Sequence, residues 1–351
     1  MPIHTSTTEI SRAIDRSFDA GLQPPADDTA EEKFFLCNPR PEYLDDLIKE
    51  ADDFIQAQLS MERSRIVLVT SGGTTVPLEN NTVRFIDNFS AGTRGASSAE
   101  QFLYEGYSVI FLHREFSLTP FNRSFTHNSD TCFLDYFDQH GGLAPKYKEK
   151  LLANKLLFDK YLHEEKRLLL LPFTTVNQYL WSLKSIAQLL NSSGSLFYLA
   201  AAVSDFFVPH SKLPEHKIQS SEFHEPGSNS NSSHHTPVDG KLIVDLDPVP
   251  KFLKRLVTSW AAQAMIVSFK LETDESILIK KATHALDRYN HQLVIGNLLQ
   301  TRNREVVFVS EQNRKGSWIR SNSGEQIIEA MIVPEVIKHH NIWISQQAEQ
   351  S

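Results

Sequence analysis

The sequence predicts an α/β protein built on a doubly wound, mainly parallel sheet. Three observations predict it. Short apolar runs rich in β-branched residues recur along the chain. Most are followed by helix-length segments, the alternation that βαβ units produce. The first run, Ile66-Val67-Leu68-Val69-Thr70, is apolar throughout and ends in the turn Ser71-Gly72-Gly73-Thr74, as a strand buried on both faces does.

The elements follow in order. Residues 1–63 read as a helical N-terminal extension, in which Leu44, Leu47, Ile48, Ala51 and Ile55 mark one face at helical spacing. That face is expected to pack on the main domain or on a second subunit. The main domain, 64–351, opens with the run above. Ala96–Glu105 reads as a helix capped by Gly106, and Tyr107–His113 as the next strand. Arg167–Pro172 is a third strand, followed by a helix through Leu190. Leu196–Val203 is a fourth, and Ala264–Leu271 a fifth, followed by a helix from Asp274 to Tyr289. Leu293–Asn297 and Val306–Ser310 close the series. Two insertions break the rhythm. Residues 116–165 are polar and then helical from Pro145, too long for an ordinary connection. Residues 204–250 read as a flexible flap. Within it, His224–Gly240 is rich in Ser, Asn and His and poor in apolar residues, so it reads as a disordered loop. Lys241–Leu246 then reads as a returning hairpin strand.

Composition narrows the function. With 40% hydrophobic and 22% charged residues the balance is that of an ordinary globular protein. A net charge of −8 argues against a general nucleic-acid surface. No apolar run approaches the roughly 20 residues of a membrane span. The N-terminus lacks the apolar core of a signal peptide and carries acids early, so the cytoplasm is expected, with the nucleus as an alternative. Cys37 and Cys132 have no metal-ligand spacing and read as reduced thiols.

In open α/β sheets, ligands bind beyond the carboxyl ends of the strands, and four polar clusters fall there. Ser71-Gly72-Gly73-Thr74-Thr75 allows close backbone approach to a phosphate, although a tight structural turn would look the same. Arg84 to Gly95 places two arginines, Asn88, Ser90 and Gly92 ahead of a helix. Its N-terminus can bind an anion, Arg84 and Arg94 offer bidentate phosphate donors, and Asn88 offers an uncharged hydrogen-bonding group to an acyl carbonyl. Ala200-Ala201-Ala202-Val203-Ser204-Asp205 leaves room for a ligand against the backbone, with Asp205 able to meet a ribose hydroxyl, a metal or an amine. Lys217, within the second insertion, is either a solvated lysine or a cation that closes over a triphosphate.

Together these clusters resemble phosphopantothenate–cysteine ligase, in its eukaryotic, fungal-type spelling. The strings that carry the resemblance are VTSGGTTVPLENNTVRFIDNFSAGTRGASSAEQFL (69–103), FYLAAAVSDFFVP (197–209), HKIQSS (216–221), SFKLETD (268–274) and NHQLVIGNLL (290–299). The resemblance implies a Rossmann-like fold, a homodimer with the 116–165 insertion at the contact, and a two-step reaction. The carboxylate of 4′-phosphopantothenate attacks the nucleotide α-phosphate, and the amine of L-cysteine then displaces the nucleotide. It also implies Mg²⁺ on the triphosphate. It places catalytic roles on Asn88 and Lys217. Nucleotide contacts fall on Ser71, Gly72, Gly73, Ser90, Gly92, Gly95, Asp205 and Phe269, and substrate contacts on Asn88, Arg94, Ala201 and Ala202. Bacterial relatives carry further lysines where this chain has Ile218-Gln219-Ser220, and near Ala285 and Tyr289, which favours ATP over CTP. The 63 leading residues are too few for the flavin decarboxylase domain of bacterial relatives, so no FMN is expected. Association with other enzymes of coenzyme A synthesis is a further expectation. Two other readings compete. A nicotinamide-dependent oxidoreductase would require a GxGxxG that is absent after the first strand, and an inactive interaction protein would require damage at Asn88, Asp205 or Lys217.

Overall fold

The computed structural model describes residues 30–126, 131–218, 237–238, 241–321 and 327–350. The central sheet has eight strands: β1 (Ile66–Ser71), β2 (Ser108–Arg114), β3 (Leu168–Phe173), β4 (Ser195–Leu199), β5 (Met265–Glu272), β6 (Leu293–Leu298), β7 (Glu305–Ser310) and β8 (Ser317–Arg320). Their spatial order is β3-β2-β1-β4-β5-β6-β7-β8. β1 to β6 are parallel, and β7 and β8 are added antiparallel at one edge. The chain therefore reverses its direction of travel between β1 and β4. That switch point opens a crevice at the carboxyl ends of the strands.

Every residue of β1 is buried. Ile66 and Leu68 point to one face, Val67 and Val69 to the other, the period of two that a strand imposes. On the first face lie α1 (Ala30–Cys37), α2 (Leu44–Ser60) and α5 (Val176–Leu189). The expected apolar stripe of α2 is the buried one: Leu44, Leu47, Ala51 and Ile55 pack in the same core as Tyr179, Leu183 and Ile186 of α5. On the second face lie α3 (Thr93–Tyr104) and α7 (Glu329–Gln350), through Ala96, Ala99, Phe102 and Leu103 and through Ile332, Val333 and Val336. α6 (Glu275–Tyr289) covers β6 and β7 with Leu278, Ala282 and Leu286. Helix ends follow local chemistry. Thr175 and Gln178 form a reciprocal capping box at α5. Asp274 caps α6 by accepting from the Ser276 N–H at 2.9 Å.

Four expectations change. The fourth strand ends at Leu199 instead of Val203, because Ala202 turns to the β1 turn: its N–H donates to the Gly72 carbonyl at 2.8 Å. The series does not close at Ser310, since β8 and the 22-residue α7 follow. Of Lys241–Leu246 only Lys241–Leu242 is strand, paired with Pro237–Val238, while Asp247–Pro248 pairs with Phe206–Phe207. The helix expected from Ala96 starts at Thr93, one residue after Gly92, whose left-handed φ of 84° sets its entry. The insertion is helical as expected, α4 (Pro145–Asp159) running on into a wider turn through Glu164. Apart from residues 237–238, the loop His224–Gly240 lies outside the described residues.

Candidate functional site

Beyond the carboxyl ends of β4, β5 and β6 lies a cleft of about 790 Å³. One wall is the segment Asn88–Arg94, entering α3. A second is Leu199–Asp205, leaving β4, and a third is Ser268–Leu271 of β5. Val249–Leu253, Asn297, Arg302 and Glu329 complete it. Asn88, Ser90, Gly92, Arg94, Ala201, Ala202, Asp205 and Phe269 thus share one cavity, although they come from three separate stretches of sequence.

The β1 turn builds the first wall without lining it. Ser71 is fully buried, and its hydroxyl donates to the Gly92 carbonyl at 3.0 Å. A Cβ on Gly95 would strike the Ser71 side chain, so Gly95 lets α3 sit directly on the end of β1. Gly73 meets Asn88 in the same way: a Cβ there would collide with the Asn88 carbonyl. The Asn88 N–H donates to the Thr74 carbonyl at 3.1 Å, and the Thr74 hydroxyl accepts from the Ser204 N–H at 2.9 Å. Thr74 is completely buried, and it ties the wall bearing Asn88 to the wall bearing Asp205. Ser71, Gly72, Gly73 and Gly95, expected at the nucleotide, are therefore set behind the cleft lining.

The charged groups are mostly paired. Arg94 donates to Glu329 at 2.7 Å and to the Arg302 carbonyl, with its guanidinium 6.0 Å from the centre of the Phe269 ring. Phe269 also meets Tyr198 edge-on at 5.0 Å. Asp205, 78% exposed, lies 3.3 Å from Lys251. Arg84, read as a phosphate donor, is instead held by the buried Glu79 at 2.7 Å and does not line the cleft. Lys217 is exposed and also lies outside the lining. On β5, the Ser268 hydroxyl is 2.7 Å from His291 Nε2, and burial pushes that imidazole down to about 4, so it is neutral at physiological pH.

Sequence reasoning missed Thr74, Lys251, Ser268, Arg302 and Glu329. Thr74 and Ser268 stood inside quoted strings but without a role. The others act through partners far away in sequence, a relationship no local pattern carries.

The segment 62–129 matches the family model described as "DNA/pantothenate metabolism flavoprotein C-terminal domain". The chain is 68% identical over 345 residues to phosphopantothenate–cysteine ligase CAB2 of Saccharomyces cerevisiae, covering 98% of this chain and 94% of that one. It is 43% identical to phosphopantothenate–cysteine ligase 1 of Oryza sativa subsp. japonica, covering 79% and 81%. A solved structure of a Cab2 mutant in complex with phosphopantothenate-cysteine superposes with a TM-score of 0.85 at 67% identity, covering 91% of this chain and all of that one. Identity at this level, sustained along almost the whole chain and accompanied by the same fold, means that the chain belongs to the phosphopantothenate–cysteine ligase family.

Proposed function

We propose that the cleft joins 4′-phosphopantothenate to L-cysteine at the expense of ATP. The observation that supports this best is the convergence of Asn88, Ser90, Gly92, Arg94, Ala201, Ala202, Asp205 and Phe269 on one cavity in a chain so close to named ligases. Ligation needs an activated carboxyl group, because a carboxylate is a poor acyl donor. In the first step a carboxylate oxygen bonds to the α-phosphorus and pyrophosphate leaves. In the second the cysteine nitrogen bonds to the acyl carbon, the C–O bond to the nucleotide breaks, and AMP departs as the amine gives up its proton.

The chain's groups fit these demands. The entry of α3, Gly92 to Arg94, lines the cleft; its first N–H groups have no partners earlier in the helix, and the positive end of the helix dipole there suits phosphate. Asn88 brings to the cleft lining an uncharged hydrogen-bonding group suited to an acyl carbonyl and an α-phosphate. Ala201 and Ala202 leave space along the backbone for the pantothenate arm. Lys217 would supply a cation against the phosphates. Among the described residues no three His, Cys, Asp or Glu converge as a metal cage. Mg²⁺ would be carried on the triphosphate, with Asp205, an exposed carboxylate of the cleft lining, available to it. When bound, Mg²⁺ neutralises phosphate charge.

A homodimer is part of the proposal. The strands Thr75–Pro77 and Phe85–Asp87 form a two-stranded hairpin outside the central sheet. All three residues of Phe85–Asp87 are exposed, and Val83, Phe85, Ile86 and Phe89 leave apolar surface uncovered. Such a hairpin is marginal alone, and a second copy meeting it about a twofold axis would cover it. α4 buries none of its residues and leaves Leu152 and Leu156 exposed, as an insertion at a subunit contact would.

The deciding experiment is pyrophosphate release with phosphopantothenate and cysteine, run with ATP and with CTP. ATP is expected to be preferred: Tyr289 stands at the cleft and Ala285 in the α6 packing, near the positions where the resemblance sets the lysines of bacterial relatives. No release with either nucleotide overturns the proposal. Equal turnover with CTP overturns the nucleotide preference alone.

A further inference from the structure

The turn between the strands Thr75–Pro77 and Phe85–Asp87 contains a group that a chain reversal does not need. Glu79 is fully buried. One carboxylate oxygen accepts from the Val83 N–H at 3.2 Å and the Arg84 N–H at 2.9 Å. The other accepts from the Arg84 guanidinium at 2.7 Å and from the Ile218 N–H at 3.3 Å. Arg84 also donates to the Ile218 carbonyl at 3.2 Å, so both backbone groups of Ile218 are held. Turns are ordinarily closed by Asn, Asp, Ser or Gly without a buried charge, and burying a carboxylate is costly unless its lone pairs are filled.

The rest of the turn grips the same distant segment. The Asn80 N–H donates to the Pro214 carbonyl at 2.9 Å and the Asn81 N–H to the Glu215 carbonyl at 3.1 Å. The Asn80 and Asn81 side-chain amides donate to the two oxygens of the Glu215 carboxylate at 3.0 and 3.2 Å. Residues 214, 215 and 218 are thereby fixed, and Lys217 lies between them. At its other end the same hairpin runs from Phe85–Asp87 straight into Asn88, which is anchored to Thr74. One element therefore carries Asn88 at its base and holds the lysine-bearing segment at its tip.

We infer that Glu79 is a positioning residue for Lys217, fixing with Arg84 the path of residues 214–218 and hence the placement of the Lys217 ammonium relative to Asn88. The inference rests on the proposed role of Lys217 in ligation.

The test is a double-mutant cycle in the full chain. Glu79→Gln keeps shape but turns an N–H group toward N–H donors. Turnover should fall about 10- to 100-fold, the scale of misplacing a reacting group by about 1 Å, with ATP affinity by calorimetry unchanged. In a Lys217→Gln background the same substitution should change turnover by less than about twofold, because the two act as one unit. Additive losses, or unchanged turnover in a folded Glu79→Gln protein, overturn the inference. Near-normal turnover of Lys217→Gln alone overturns the reading of Lys217 instead, a distinct result. If Glu79→Gln does not fold, Asn81→Ala enters the same cycle, since it loosens Glu215 without emptying a buried charge site. Amide exchange at residues 215–218 should quicken in either variant, and unchanged exchange also counts against the clamp.

Discussion

The α-carbon of Gly73 packs directly against the carbonyl of Asn88, leaving no room for a methyl group between them. This contact sets the distance from the end of β1 to the wall of the cleft. Gly73→Ala should push the segment 88–90 outward. We expect a loss of about 1–3 kcal/mol in stability, the ordinary cost of overpacking. Turnover should fall by about 10²-fold or more through displacement of Asn88. Thermal unfolding and steady-state kinetics on the same preparation check both. Wild-type turnover in a folded Gly73→Ala protein would show that the wall tolerates the shift.

Asn88 itself can be tested by charge. Asn88→Ala removes one hydrogen-bonding group and should cost about 3–4 kcal/mol of transition-state stabilisation, by analogy with oxyanion-hole donors. Asn88→Asp should be worse, because it adds like charge beside phosphate. ATP affinity should survive in the alanine variant, since the phosphate cradle proposed above is the entry of α3 and not the Asn88 side chain. The measurement is the amount of acyl-adenylate trapped without cysteine. An alanine variant that accumulates it as well as the parent does would remove Asn88 from the chemistry.

The uncovered strand Phe85–Asp87 makes assembly testable without touching the cleft lining. Ile86 is 39% exposed and outside the cavity. Ile86→Arg should move the protein from dimer to monomer in sedimentation while leaving its melting temperature close to that of the parent. A parent protein that sediments as a monomer at assay concentrations would refute the dimer.

Buried imidazoles make acid stability legible. His340 is completely buried. Its Nε2–H donates to the Ser193 carbonyl at 3.0 Å, which leaves Nδ1 to accept from the Tyr107 hydroxyl at 2.8 Å. Burial lowers His340 and His291 to about 4 each. Their folded values lie below the unfolded value near 6.5, so the unfolded chain binds more protons in that window. The stability they provide is whole above pH 6.5 and drains away as pH falls toward 4. Urea titrations should show unfolding free energy dropping over that range. His340→Gln should flatten the drop by about 2–3 kcal/mol, although it lowers stability at pH 7. An unaltered pH slope in that variant would mean that His340 titrates normally.

The parallel core was readable because its inner strands are buried along most of their length and so spell continuous apolar runs, as Ile66–Thr70 does. The same rule overextended β4. Ala200 to Ala202 are apolar, but the regular ladder stops before them: Ala201 bonds the Thr70 hydroxyl and Ala202 the glycine turn, and alanine gives no local sign of that choice. β8 was invisible because it is a four-residue edge strand with no buried residue. α7 carries Pro334 in its interior, which reads as a helix breaker. The cleft was legible where its residues share one string, as Asn88, Ser90, Gly92 and Arg94 do. It was illegible where a residue's meaning depends on a remote partner. Arg84 looked like a phosphate donor because nothing in the string shows that Glu79, five positions earlier, is buried beneath it.

The pairing of Arg94 with Glu329 joins positions 235 apart, the second of them at the first turn of α7. On the ribosome the glycine turns, the alanines and the cleft-lining end of α3 all emerge well before that carboxylate. A nascent chain can lay down most of the central sheet, yet Arg94 lacks its carboxylate partner until α7 arrives. Domains tend to fold as they are made, amino-terminal parts first. Here the order of synthesis delays the finished cleft, so shortened translation products ending before Glu329 would keep the core on the α2 and α5 face but lack both the α7 cover of the other face and the carboxylate partner of Arg94.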